Sequence, residues 1–173
     1  MRLFTSTPLT ECDMTVSVGD KVPAGTLAFM GDKGPEAINT DDLFGGKKVV
    51  LFAVPGAFTP TCSEAHLPGF VANQDKIAAK GVDQVVCVSV NDPFVMGAWS
   101  KTQNAENLLM AADGSGTWIK ALGLELDLIE RGLGIRSKRF SMIVDDGVIS
   151  HLNVDEGPAM ELSSAEKILE ILG

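Results

Sequence analysis

Two nearly unbroken apolar runs dominate the hydrophobic pattern of the chain, Lys48–Val54 and Gln84–Val90. Both are rich in β-branched residues, as strands covered on both faces are. Each leads through turn formers into helix-like sequence. Pro55-Gly56-Ala57-Phe58 precedes a helix over residues 60–80, and Asn91-Asp92-Pro93 precedes one over 94–102. Strand, helix, strand, helix in this order predicts parallel pairing through right-handed crossovers. A third short strand is expected over Asn107–Ala111, before the breaker Asp113-Gly114-Ser115-Gly116 and a short helix over 117–122. Arg139–Val144 and Val148–Val154 flank Asp145-Asp146-Gly147, and Asp-Gly between two such runs predicts an antiparallel hairpin. Ser163-Ser164-Ala165-Glu166 has the Ser-x-x-Glu form of a capping box and opens a closing amphipathic helix.

These elements predict an α/β protein: a three-layer α/β/α sandwich with a central mixed β-sheet, a layout that resembles the thioredoxin-like fold. The 173 residues suit one domain. Patterned sequence begins after Met14, so residues 1–13 are expected to be a flexible leader and 14–173 a single domain. The leader carries one basic residue, Arg2, and no apolar core, a poor match to a targeting peptide. A net charge of −9 argues against a nucleic-acid or anionic-membrane partner, since both need clustered Lys and Arg. No apolar stretch is long enough to span a bilayer. Three cysteines, Cys12, Cys62 and Cys87, do not make a disulfide framework and point to the cytoplasm or another reducing compartment.

Cys62 is the candidate nucleophile by position. It follows a buried strand at the sheet edge where α/β folds bind ligands. Thr59 is a suitable N-cap and Pro60 a suitable first helical residue, which puts Cys62 in the first turn. Free backbone N–H groups and the helix dipole there favour an anion, and so a thiolate. The competing reading is a small buried core residue. A dithiol oxidoreductase would need Cys-x-x-Cys, and Thr59 occupies the place of the first cysteine. The two histidines, His66 and His151, have no metal-ligand spacing. His66 is expected at a helix surface or an interface, and neither metal nor bound cofactor is expected.

The string Pro55-x-x-x-Thr59-x-x-Cys62 resembles the peroxiredoxin active-site pattern. Val54–Ser63 as a whole resembles the type II, or peroxiredoxin-5, subfamily. The similarity continues through His66–Phe70, Val88–Met96 and Arg139–Met142, and covers nearly all of residues 16–172. It implies a thiol peroxidase that reduces hydrogen peroxide and alkyl hydroperoxides, on a thioredoxin-like fold and often as a homodimer. By this resemblance Cys62 corresponds to the peroxidatic cysteine and Thr59 to the hydroxyl that orients peroxide. Pro55 corresponds to the residue shielding the thiolate and Arg139 to the guanidinium beside the sulfur. A fixed guanidinium suits this chemistry, because O–O cleavage develops negative charge on the departing oxygen. Arg136 competes with Arg139, but Arg139 opens the apolar strand and can reach inward at a sheet end. Asp92, Met96 and Trp99 are expected to be structural. Phe44, Phe58 and Phe94, beside the site, are the apolar groups a second copy would cover.

Regeneration separates the members of such a family. The segment Asn153–Ser163, where many carry a resolving cysteine, has none. Cys12 lies in the leader, which leaves Cys87, where plant type II forms have been assigned a resolving role. Its strand is buried, so structural core is favoured over resolving thiol. The expected route is one-cysteine: the Cys62 sulfenate condenses with glutathione, released by glutaredoxin or a second glutathione. A Cys62–Cys87 disulfide reduced by thioredoxin is the alternative. A thioredoxin-fold binding or holdase module with a vestigial Cys62 is a different class of function, and the presence of Thr59 and Arg139 speaks against it. A general protein-thiol reductase is disfavoured by the missing second active-site cysteine. By the same resemblance, the Gly132-Leu133-Gly134 segment, preceded by Arg131 where sensitive members carry glycine, and the absence of their Tyr-Phe extension imply relative resistance to overoxidation.

Overall fold

The computed structural model describes residues 15–157 and 159–173. Cys12 and the expected leader lie outside the described residues. Along the chain, a hairpin of β1 (Thr26–Gly31) and β2 (Gly34–Asn39) and the short helix α1 (Thr40–Phe44) precede β3 (Lys48–Ala53). Helical backbone opens at Pro60, passes through a π-helical turn (Cys62–His66) and continues as α2 (Leu67–Ala78). There follow β4 (Gln84–Ser89), α3 (Pro93–Thr102), β5 (Leu109–Ala112) and α4 (Thr117–Leu122). A small ribbon of β6 (Glu125–Leu128) and β7 (Gly134–Ser137) leads into β8 (Arg139–Asp145) and β9 (Val148–Asp155), and α5 (Ala165–Leu172) closes the chain.

Seven strands form one mixed sheet in the order β2-β1-β5-β4-β3-β8-β9. The pairs β3–β4 and β4–β5 are parallel, as the sequence predicts, and β3–β8 and β8–β9 are antiparallel. The period of two in the strands splits the core into two layers. Val50, Phe52, Val54, Cys87 and Ile143 face α2, α3 and α5. Val49, Leu51, Ala53, Phe140 and Met142 face the opposite layer, with Leu43 and Phe44 of α1 and Trp118, Ile119 and Leu122 of α4. Continuous apolar runs in β3 and β4 thus reflect burial on both faces, in the three-layer arrangement expected.

Local chemistry explains the boundaries. Asp146 and Gly147 have φ of 47° and 79°, both left-handed, which gives the β8–β9 turn the twist that suits a two-residue hairpin. Asp92 accepts from the Val95 N–H at 2.8 Å and Pro93 follows, so α3 starts where the sequence places it. The cap of α5 differs from expectation by one residue. Ser164, not Ser163, accepts from the Lys167 N–H, while Ser163 is fully buried and bonded elsewhere. Phe44 also departs from expectation: it is 1% exposed and stacks on Trp118, with centroids 6.1 Å apart, so it offers nothing to a partner.

Beneath the site, the rings of Phe52 and Phe70 lie parallel with centroids 3.9 Å apart, both fully buried. Removing one ring leaves a cavity between β3 and α2. Phe70→Ala should therefore destabilise the fold by about 3–5 kcal/mol, measured as a lowered urea midpoint.

Candidate active site

The loop that leaves β3 is pinned to the loop that leaves β4. The Val54 N–H donates to Val88 O, and the Ala57 N–H donates to Asn91 Oδ1 at 3.0 Å. Ser89 Oγ also donates to Asn91 Oδ1, at 2.6 Å. Phe58 adopts a left-handed φ of 64°, a conformation that costs a non-glycine residue energy, and lies 53% exposed. Gly56 is needed for close approach. A Cβ there would meet Arg136 Nη1 at 3.0 Å and Thr59 Cγ2 at 3.1 Å.

Thr59 departs from its expected local role. Its hydroxyl donates back to Gly56 O at 2.7 Å instead of capping the helix, which leaves its lone pairs free to accept. Its carbonyl accepts from the Ser63 N–H at 2.9 Å, so the first helical turn closes over it. Pro55 is half-buried at the same junction. Pro55, Thr59 and Cys62 thus sit within one loop-to-helix turn.

Cys62 and His66 begin and end the π-helical turn, and Leu67 N–H donates to Cys62 O across it. The extra residue in that turn keeps both side chains inward while Leu67, Phe70 and Ile77 of α2 still face the core. Both meet Arg139, which enters from the start of β8 and is only 5% exposed. Arg139 Nη2 donates to Cys62 Sγ at 3.1 Å, and Nη1 lies 2.9 Å from His66 Nδ1. His66 Nε2 lies 2.9 Å from Ser163 O. The Asp155 carboxylate at the end of β9 accepts from the N–H groups of Glu161, Leu162 and Ser163 and from Ser163 Oγ, which fixes that carbonyl.

Of the two competing arginines, then, Arg139 reaches the sulfur. Arg136 braces the loop instead, with Nε donating to Leu133 O at 2.7 Å and Nη1 to Pro55 O at 3.5 Å. His66 is the site residue that the sequence places wrongly: it is 1% exposed, neither surface nor interface. Trp99 and Met96 are fully buried, and Trp99 Nε1 donates to Ser63 Oγ at 3.0 Å, which ties α3 to the π turn. Cys87 pairs in register with Phe52 and is fully buried. Burial pushes its thiol well above the ordinary value, and neighbouring Cys62 adds to this, with Arg139 opposing. Among the described residues no three His, Cys, Asp or Glu side chains converge as metal ligands would.

The profile of the redoxin family matches residues 17–169. Peroxiredoxin-2D of Arabidopsis thaliana is 48% identical over 159 residues, 91% of this chain and 98% of that protein. Peroxiredoxin-2C of Oryza sativa subsp. japonica is 51% identical over the same shares. The solved structure of reduced Prx3 from Vibrio vulnificus with hydrogen peroxide is 52% identical and superposes with a TM-score of 0.89. That match covers 92% of this chain and all of the other. The chain belongs to the redoxin family and, within it, to the peroxiredoxins: thioredoxin-fold thiol peroxidases that act through a peroxidatic cysteine.

Electrostatics at the site set a pH dependence. Burial, reinforced by Arg139, pushes His66 down to about 4, with the Ser163 carbonyl and Asp155 opposing. Burial also works to raise the Asp155 carboxyl, but its hydrogen bonds from Ser163, Leu162 and Glu161 outweigh this and hold it below the usual value. The unfolded chain takes up a proton at His66 below about 6.5, whereas the folded protein refuses it until about 4. Stability should therefore fall as pH drops through that window, by up to about 3 kcal/mol from this residue. Asp155 acts in the same direction at lower pH, its contribution being lost as pH falls through its depressed folded value. Urea midpoints taken between about pH 7 and 4.5 should decline, with a shallower slope in His66→Phe.

Proposed function

We propose that Cys62 is the peroxidatic cysteine, with Thr59, Pro55 and Arg139 forming its pocket. The carrying observation is the Arg139 guanidinium, buried and donating to Cys62 Sγ at 3.1 Å. In this reading the Cys62 thiolate attacks one peroxide oxygen and the O–O bond breaks. Sulfur is oxidised to the sulfenic acid, and the other oxygen leaves as water or an alcohol after taking one proton. Arg139 stabilises the negative charge that moves from sulfur to the departing oxygen. The Thr59 hydroxyl accepts from the bound hydroperoxide, and Pro55 keeps bulk water from the sulfur.

Regeneration follows a one-cysteine route. Glutathione condenses with the sulfenic acid, releasing water and leaving a mixed disulfide. Glutaredoxin or a second glutathione then restores the Cys62 thiol and forms the oxidised partner. What supports this over a Cys62–Cys87 disulfide is the state of Cys87: fully buried in a central strand, its thiol held protonated. The second reading has one observation in its favour, that Cys62 and Cys87 lie in the same core layer. Thioredoxin would then be the reductant. Such a cycle suits the cytoplasm, the compartment we assign, although relatives named as chloroplastic and mitochondrial occur. Among the described residues no helix is long and apolar enough to cross a membrane. A homodimer completes the proposal: Phe58, in the loop before the π turn, and Phe94, in the first turn of α3, are 53% and 64% exposed.

Cys62→Ser should abolish peroxide consumption, and Arg139→Gln should slow it by about 100-fold or more. After one equivalent of peroxide, Cys87→Ser with glutathione should gain about 305 Da and turn over like the parent. A loss of about 2 Da in the parent, absent from Cys87→Ser together with activity, would instead establish the disulfide route. Reduced protein should sediment as a dimer at micromolar concentration, and Phe94→Asp should shift it toward monomer.

A further inference from the structure

We propose that His66 is a positioning residue for the peroxidase chemistry: as a neutral acceptor, it aims the Arg139 guanidinium at Cys62. The proposal rests on the assignment of Cys62 and Arg139 above and deepens it. A guanidinium has only donors, so the 2.9 Å contact from Arg139 Nη1 obliges His66 Nδ1 to carry a lone pair. The ring proton then sits on Nε2, which matches its 2.9 Å contact with the Ser163 carbonyl. The two hydrogen bonds of the imidazole thus select one tautomer. The ring is further held by Phe52, whose centroid is 4.9 Å away, and by Phe70 at 5.6 Å.

The geometry has a direct consequence for Arg139. Its two terminal nitrogens bind Sγ and Nδ1, on residues four apart in one helical turn, so the plane of the fork is fixed by that turn. Without the second acceptor, the guanidinium could rotate away from the sulfur and from the oxygen that leaves it. The choice of acceptor also matters. A carboxylate at this place would form an ion pair and cancel the positive charge, whereas a neutral imidazole anchors the guanidinium and leaves its charge for the reaction. The charged groups facing His66 are Arg139 from β8 and Asp155 at the end of β9. Asp155 acts one step removed, since its carboxylate is spent on the loop that carries the Ser163 carbonyl.

Two substitutions separate aiming from packing. His66→Phe keeps a ring among Phe52 and Phe70 but has no acceptor, whereas His66→Asn restores an acceptor near the Nδ1 position with less packing. The second-order rate constant for peroxide should fall about 10- to 100-fold in His66→Phe and recover to within a few-fold of the parent in His66→Asn. The pH profile of Cys62 alkylation should move in His66→Phe and return in His66→Asn. Parent-like rates in folded His66→Phe, or equal losses in both variants, would overturn the proposal. Should either variant not fold, the intact reduced protein decides. Long-range nitrogen–proton NMR of His66 should show the Nε2–H tautomer, with no titration between about pH 5 and 8. An Nδ1–H tautomer, or titration at the ordinary histidine value, would overturn it as well. Peroxidase activity surviving in Cys62→Ser would instead remove the assignment of Cys62 and leave the tautomer result standing.

Discussion

A guanidinium never loses its charge, so its burial is costly unless acceptors meet most of its N–H groups. That requirement organises this protein around Arg139. Two acceptors come from the π turn, Cys62 Sγ and His66 Nδ1. His66 in turn is held by the Ser163 carbonyl, and that carbonyl by Asp155. The chain of bonds runs from one end of the β8–β9 hairpin, through the loop before α5, into the helix that carries the sulfur, and back to β8. Arg139 Nε and the Ser141 hydroxyl on the same strand face make no hydrogen bond among the described residues. An unmatched donor in the core lowers stability. The proposed peroxide chemistry, rather than stability, accounts for an arginine here.

The parallel core and the β8–β9 hairpin are legible in the sequence because their physics is local or continuous. β3 and β4 are buried on both faces, so they read as unbroken apolar runs, and Asp146-Gly147 supplies both left-handed residues of its turn. The β1–β2 hairpin and the β6–β7 ribbon are not legible. Their strands are half-exposed or at an edge, Pro35 falls inside β2, and β6 and β7 have four residues each. Periodicity over so few residues cannot distinguish a strand from a loop.

The site divides along the same line. Cys62 is visible from its place after a buried strand and a proline turn, and Arg139 from its place at the start of an apolar one. His66 is not, because its partners are 73 and 97 residues away and no short pattern encodes them. A usable signal did exist: His66 lies four residues after Cys62, just before the apolar Leu67 and Phe70, on the inward side of the helix. The one-residue error at the α5 cap has a related cause. Ser163 and Ser164 are equally good caps locally, and Asp155 claims the first for the loop.

The division of the interior by the sheet has an evolutionary reading. Along β8, Arg139, Ser141 and Ile143 point toward the layer that holds Cys62, whereas Phe140, Met142 and Val144 point into the other. Arg139 and its neighbour Phe140 therefore answer to different selective pressures. In the first set Arg139 meets the sulfur and Ile143 packs against the helices, whereas the second set only packs. Drift can repack the α1–α4 layer, for instance by exchanging volume between Met142 and Ile149, without altering the electrostatics around the sulfur.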